Sequence, residues 1–265
     1  MRLTDVLVLA WRQLKERKLR TILTVLAVAV GVTTILALSA QVEGVKVSII
    51  ESLGRLGPET ILVTQRGRMP ITDADVARLL SLEGISKVIP ILTTSGRIST
   101  INENVNLVGI GSTDIGSFLG DIRLLQGNLY PDVPAPQAIV GNSIAFDQAG
   151  SSRYSAGQPI LIQLGQRQIM LTVVGVLDSY GASLMIQPDR AIFVPIEYTK
   201  NLIRSGGYSL LVVKAVNAES VDQIIELLGF VFGDRVSINT IKQITQTVVS
   251  VVGQINMLLI AIAGT

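Results

Sequence analysis

The chain contains no cysteine and no histidine. Without cysteine there is no disulfide, no thiolate nucleophile and no zinc site of the usual kind. Without histidine there is no His-based triad, and the commonest general base is missing. An all-carboxylate metal site or a Ser-Lys dyad stays open. The lack of cysteine does not fix a compartment. Aromatic residues are 4% and charged residues 16% of the chain. With so few aromatics and a nearly balanced charge beyond the N-terminus, nucleic acid is not an expected partner. Hydrophobic residues make up 48%, with a mean hydropathy of +0.52. That is too apolar for an average soluble protein and too polar for a many-span bundle, so a few spans plus a water-soluble part are expected.

What is abundant is concentrated. The first twenty residues carry Arg2, Arg12, Lys15, Arg17, Lys18 and Arg20 against Asp5 and Glu16. Such a patch is drawn to anionic headgroups by about 1 kcal/mol per basic residue near the surface. Leu3, Val6, Leu7, Ala10 and Leu14 share one helical stripe, which suggests an interfacial amphipathic helix over 1–20. Trp11, Lys18 and Arg20 are its expected interface anchors. From Thr21 to Val42 no residue is charged. As a helix that stretch spans about 33 Å, enough for a hydrocarbon core of about 30 Å. Ala37-Leu38-Ser39 resembles a signal cleavage site, but the apolar run exceeds a signal h-region, so a retained membrane helix over 21–42 is expected. The basic excess before the span places the N-terminus in the cytoplasm and the large domain outside. Ala27, Gly31 and Thr34 form a small-residue step expected to pack against another helix. A second uncharged stretch, 243–265, reads as the start of a second span, strongly apolar only over Met257–Ala263. The chain is expected to be a piece of a longer membrane protein.

Between these stretches the helix is expected to continue as a stalk over 43–57. The extracytoplasmic core is then expected over 58–242. Near each end of the core lies a strand–helix–strand pattern. In the first, Thr72 and Asp75 have capping spacing, Val76, Leu79 and Leu80 form the stripe, and Gly84 ends the helix. In the second, Asn217 is the cap, Val221, Ile224, Ile225 and Leu228 form the stripe, and Gly229 ends it. Residues 97–190 are mostly alternating strands and turns. The fold class expected is α+β: a membrane-anchored, two-lobed extracytoplasmic domain. A βαβ lobe over 58–96 and 191–242 would carry a β-rich inserted lobe over 97–190, with one complete and one partial transmembrane helix.

Motifs for chemistry are absent. GSTDIGS at 111–117 has Walker A glycine spacing but no lysine, and GIG at 109–111 lacks the third glycine of a dinucleotide fingerprint, so both are expected to be turns. Asp73 with Asp75, and Asp132, Asp147 and Asp178, are more simply caps and turn residues than cation ligands. No catalytic, metal or cofactor-binding residue is assigned and no cofactor is expected.

One ordered set of segments remains: AWRQLKERKLRTILT (10–24), LLQGNLYPD (124–132), AIVGNSIAFDQ (138–148), GQPILIQLG (157–165), MLTVVGVL (170–177) and RAIFVPIEY (190–198). Together these resemble the N-terminal part of MacB/FtsX-type ABC transporter permeases, over essentially the whole chain. The resemblance implies a porter-like subdomain beside a β-rich one, and a second permease copy or paralogue. It further implies a separate cytoplasmic ATP-binding subunit whose ATP cycle moves the extracytoplasmic domains. Family members have four spans, with the coupling loop between the second and third, and that loop is not in this sequence. The competing reading is a membrane-anchored extracytoplasmic binding or sensory module without transport activity.

Overall fold

The computed structural model describes residues 18–263 apart from Arg68, Asp121, Ala182, Leu184 and Ser205. The expected interfacial helix, with Trp11, lies outside the described residues but for its last three. In chain order the helices and strands are α1 (Lys18–Leu56), β1 (Thr60–Gln65), α2 (Asp73–Leu80), β2 (Ile85–Ile98), β3 (Glu103–Ile110), α3 (Ser112–Leu119), β4 (Leu124–Gly127), β5 (Gln137–Val140), α4 (Asn142–Ala145), β6 (Pro159–Leu164), β7 (Arg167–Leu177), β8 (Ala191–Pro195), α5 (Ile196–Ile203), β9 (Leu210–Ala215), α6 (Val221–Phe232), β10 (Val236–Thr240) and α7 (Ile241–Ala263). Two units result. Among the described residues, one holds 18–47 and 248–263, the other Ser48–Thr247.

In the first unit, α1 is apolar without a polar face. Ile22, Val25, Val28, Val32 and Leu36 are all more than half exposed although they point in different directions. Among the described residues, α1 is the one helix long and apolar enough to cross a membrane, and its apolar stretch is not buried in the protein. The helix runs unbroken for 39 residues to Leu56. Gly57 then adopts φ +87°, a left-handed conformation that glycine takes without a Cβ penalty, and the helix stops.

In the second unit, β10-β1-β9-β2 form an antiparallel sheet. The two strand–helix–strand segments thus interleave, the last strand lying beside the first, in a split βαβ arrangement. Alternation along β1 sends Ile61 and Val63 toward α2 and α6, and Leu62 to the opposite core. Leu79 of α2 and Ile224, Leu228 and Phe232 of α6 complete the helix-side core. Burying each such side chain stabilises by about 1.5–3 kcal/mol.

The remaining strands close on themselves. β2 pairs with β3, β3 with β8, β8 with β5, β5 with β7, and β6 with both β7 and β2. The ring β2-β3-β8-β5-β7-β6 is filled by inward residues including Ile98, Leu107, Val140, Ile162, Leu171 and Ile192. Among the described residues, each strand of the ring pairs on both sides over part of its length, which limits the exposed edge.

Two expected boundaries shift. β2 crosses the position where the insertion was expected to begin: Ile85–Ile91 pair with β9 and Leu92–Ile98 with β3. β8, expected with the βαβ segments, belongs to the ring. Moreover, a third core joins sheet and ring, with Leu62 and Val212 from one, Ile139 and Phe193 from the other, and Leu53, Phe118 and Ile241 from helices. Three local expectations are also corrected. Leu80 is 54% exposed because Leu79 alone takes the core side at the end of α2. Gly84 lies beyond α2, whose C-cap is Ser81. Gly229 lies inside α6, which runs on to bury Phe232 and stops at Gly233 with φ +54°.

Candidate functional site where the long helix meets the core

The residues considered for cation binding are all engaged elsewhere. Asp75 completes a capping box on α2, accepting from Thr72 N at 2.8 Å and Thr72 Oγ1 at 2.9 Å, and pairs with Arg235 at 3.2 Å. Asp73 accepts from Lys200 Nζ at 3.0 Å and from the Tyr208 hydroxyl. The Tyr208 hydrogen bond, with Lys200 beside it, holds the Asp73 carboxyl below its usual range. Burial, and the hydrogen bond to Asp73, push the Tyr208 phenol up to about 12. Burial opposes the charge on Lys200, but its bonds to Asp73 and Tyr208 outweigh this and raise its pKa, so it is no poised base. Asp147 accepts from Ala149 N at 2.9 Å and Ser151 N at 2.7 Å. Asp178 accepts from Ser179 N at 2.7 Å, a local turn bond. No group of three or more acidic residues could hold a metal among the described residues.

GSTDIGS is not a turn, as expected, but the first two turns of α3. Its N-terminus, the place where a phosphate would sit, is occupied by Asp132, which accepts from Ser112 N at 2.5 Å and Ser112 Oγ at 3.0 Å. The helix thus meets its anion within the chain.

The C-terminal end of α1 is seated in the second unit. Leu53 is 1% exposed and Leu56 6%, both in the core shared by sheet and ring. The α1 carbonyl of Leu56 accepts from Thr60 Oγ1 at 2.7 Å and Lys214 Nζ at 3.2 Å, so orphan acceptors at the helix end are met by β1 and β9. Positive charge at a helix C-terminus is favourable by about 0.3–1 kcal/mol. Arg55 lies 5.0 Å from the centre of the Tyr180 ring, and the Tyr180 hydroxyl donates to Leu119 O at the end of α3. Burial raises the Tyr180 phenol, against the lowering effect of Arg55. A Cβ on Gly120 would stand 2.9 Å from Arg55 Cβ, which is why the chain passes α1 there as glycine. α7 starts on the same core. Thr240 and Gln243 cap one another reciprocally, each bond 3.1 Å, and Ile241 is buried. The T-x-x-Q spacing announces that helix start and was readable, whereas Arg55, Tyr180 and Lys214 carry no local signal.

Lys18 and Arg20 lie exposed on the first turn of α1. Ala27, Gly31 and Thr34 are exposed farther along it. A Cβ on Gly31 would meet nothing within 4 Å, and Thr34 Oγ1 donates to Val30 O at 2.7 Å, as a hydroxyl in a lipid-facing helix would.

The ordered segments that carried the resemblance have structural work. Gly127, at φ +76°, lets β4 lie on β7: a Cβ there would sit 1.9 Å from Val174 O. The Tyr130 hydroxyl donates to Ile110 O at 2.9 Å, with the ring 1% exposed, and burial pushes its phenol well up. Gly141 leaves room for Pro188 O, 2.2 Å from where a Cβ would be. The MacB-like periplasmic core domain family matches residues 21–229. The chain belongs to this family.

Curated relatives share about a quarter of the residues. The pyoverdine export ATP-binding/permease protein PvdT of Pseudomonas fluorescens (strain Pf0-1) is 25% identical over 236 residues, covering 83% of this chain and 35% of that protein. The macrolide export ATP-binding/permease protein MacB of Nitrosomonas europaea is 25% identical over 199 residues, covering 70% and 29%. The chain thus spans about a third of the length of these relatives. Among solved structures, the periplasmic region of MacB from Actinobacillus actinomycetemcomitans superposes with a TM-score of 0.55 at 20% identity, covering 75% of this chain and 96% of that one. The extracellular domain of the noncanonic ABC-type transporter YknZ from Gram-positive bacteria gives 0.51 at 18% identity, covering 68% and 100%. The MacB-like periplasmic fold is therefore the fold of this chain.

Proposed function

We propose that this chain is the first membrane helix and extracytoplasmic core of a permease subunit of an ABC-type exporter. A separate cytoplasmic ATP-binding subunit would drive it, and its helix would pass that motion to the domain outside. One observation carries the reading: α1 runs unbroken from Lys18 to Leu56 and ends with Leu53 and Leu56 inside the domain's shared core. A shift of such a helix loads sheet and ring at once, where a flexible linker would absorb it. The printed names of the curated relatives, export ATP-binding/permease proteins, support the exporter-permease part of this reading; they name ATP binding and permease together in one protein.

In this reading residues 1–20 lie on the cytoplasmic face, anchored by Trp11, Lys18 and Arg20, and 21–42 cross the plasma membrane. The step of Ala27, Gly31 and Thr34 packs against the helix of a second permease copy or paralogue. Residues 43–57 are the stalk, and 243 onward begins a second span. Sheet and ring act as two lobes joined by one core.

The test uses the full-length permease with its Walker-motif partner in nanodiscs. Cysteine at Ser151 is labelled outside and at Gln13 inside, which checks orientation, and distance between Ser151 labels on two copies is followed as ATP binds. We expect an ATP-dependent change that disappears when four glycines are inserted after Gly44, with basal ATPase activity retained. A change that survives the insertion would defeat helix transmission. Absence of any co-purifying ATPase would favour the anchored binding module.

A further inference from the structure

A cavity of about 830 Å³ among the described residues has no assigned role. Its floor is the outer face of the ring. On β2 and β3, Gly96, Ile98, Val105 and Leu107 turn inward, so Ser95, Arg97, Asn104 and Asn106 face out, with Gln163 of β6 beside them. In register, Ser95 lies opposite Asn106, and Arg97 opposite both Asn104 and Gln163. The result is a grid of polar groups about 5 Å apart across strands and about 7 Å apart along them. Arg190, at the start of β8, borders it.

Charge and hydrogen-bond capacity both point to a ligand class. No carboxylate lines this cavity among the described residues, while two arginines do. Arg97 is held by Asn104 Oδ1 and Asn102 Oδ1, each at 3.3 Å, through Nε and Nη1, which leaves Nη2 to the cavity. Arg190 is in none of the salt bridges among the described residues. The carboxylates around it are taken: Asp189 accepts from Tyr180 N and Gly181 N, Glu103 pairs with Arg153 at 3.1 Å, and Asp147 holds its own turn. A guanidinium so left presents a planar fork suited to a carboxylate. From Arg190 outward across β3, β2 and β6, the amides of Asn106, Asn104 and Gln163 carry donors and acceptors that a bare anion cannot use and a chain of hydroxyls can, although Asn104 Oδ1 also accepts from Arg97 and Gln163 Nε2 also donates to Gly165 O at 3.2 Å. We propose that the outer face of β2, β3 and β6, with Arg190, binds an acidic saccharide. Arg190 takes the carboxylate and the amide grid takes the hydroxyls. This stands whether or not the chain serves an exporter.

The experiment is calorimetric titration of the full chain in detergent micelles with glucuronate, galacturonate and N-acetylneuraminate, against glucose and inorganic phosphate. At least one acidic sugar should bind saturably, with glucose about tenfold weaker or more, from loss of one charged hydrogen-bonded pair. Arg190→Gln should bring the acidic sugar to the level of glucose, and Asn106→Ala should weaken both sugars alike. Both residues are exposed, and circular dichroism checks that the variants stay folded. No saturable binding of any acidic sugar, or binding indifferent to Arg190→Gln, overturns the proposal. Phosphate binding as tightly as the sugars, unaffected by Asn106→Ala, overturns it too, leaving a mere anion contact.

Discussion

The four-stranded sheet and the six-stranded ring share β2 and a common core, yet they are specified by different kinds of information. In the sheet, each helix lies between the two strands it joins, and short-range devices mark its ends: the Thr72–Asp75 box, the Asn217 cap on the turn before α6, and the apolar stripes. In the ring, neighbours in space are far apart in sequence, and closure depends on β6 reaching both β7 and β2. The sheet is coded locally. The ring is held by a few positions where only one residue type fits.

The sharpest way to test that contrast is at Gly127. Its φ of +76° and the 1.9 Å approach of Val174 O to a Cβ leave no side chain room, in a segment with no helix to absorb a shift. Gly127→Val should therefore cost about 3 kcal/mol or more, by strain plus a backbone clash. The check is chemical denaturation of the detergent-solubilised chain with tryptic mapping of the 124–177 region. Near-normal stability would mean that the ring is not pinned there.

Legibility in the sequence follows the same division. The Thr72–Asp75 cap, the presence of a helix after it and the alternation in 97–110 were readable because caps and periodicity act within a few residues, while the helix exit was expected at Gly84 rather than Ser81. The exit of α6 was missed because Gly229 offers a plausible stop, and only Phe232 in the core shows that burial outweighs a mid-helix glycine. The place of β8 was missed because a short apolar strand such as AIFVP fits any sheet. At the seat of α1, the helix was legible, but Arg55, Tyr180 and Lys214 meet through tertiary packing alone. Nothing within GSTDIGS marks the start of α3, because Asp132, which caps it, comes from another loop.

A second test asks whether sheet and ring are separate folding units. Leu228 in the sheet's helix layer and Leu171 in the ring are both fully buried. Replacing either by alanine should cost about 2–5 kcal/mol. Because Leu62 and Phe193 share one core, we expect both variants to lower a single transition, the same by circular dichroism and by protease resistance of either region. Two transitions, with Leu171→Ala lowering one alone, would show the ring to be independent.

The smallest effect separates the two regions by charge. Asp73 and Asp75, whose pKa values are lowered, both belong to the sheet's helix α2. For Asp75, burial favours the neutral form, but the bonds from Thr72 N–H and hydroxyl and from Arg235 outweigh it, and its side chain is only 14% exposed. Asp73 is 70% exposed, so solvent screens its pair with Lys200 and its share is minor. A carboxyl whose folded pKa lies below the ordinary 3.8 contributes its full stabilisation above that value. The contribution declines as pH falls from that value through the folded pKa, because over this range the unfolded chain takes up a proton that the folded state still refuses; it is gone once both states are protonated. Stability should therefore be insensitive to these groups near pH 7 and drop below about pH 4. Asp75→Asn should lower the denaturation midpoint at neutral pH and flatten the acid limb, so that the variant converges on the parent as pH falls through the folded pKa of Asp75. Leu171→Ala, in the ring, should instead run parallel to the parent at every pH. An acid limb of equal steepness in Asp75→Asn would mean that the carboxylate is no better stabilised in the folded chain than in water, and that the capping box owes its strength to geometry rather than to charge.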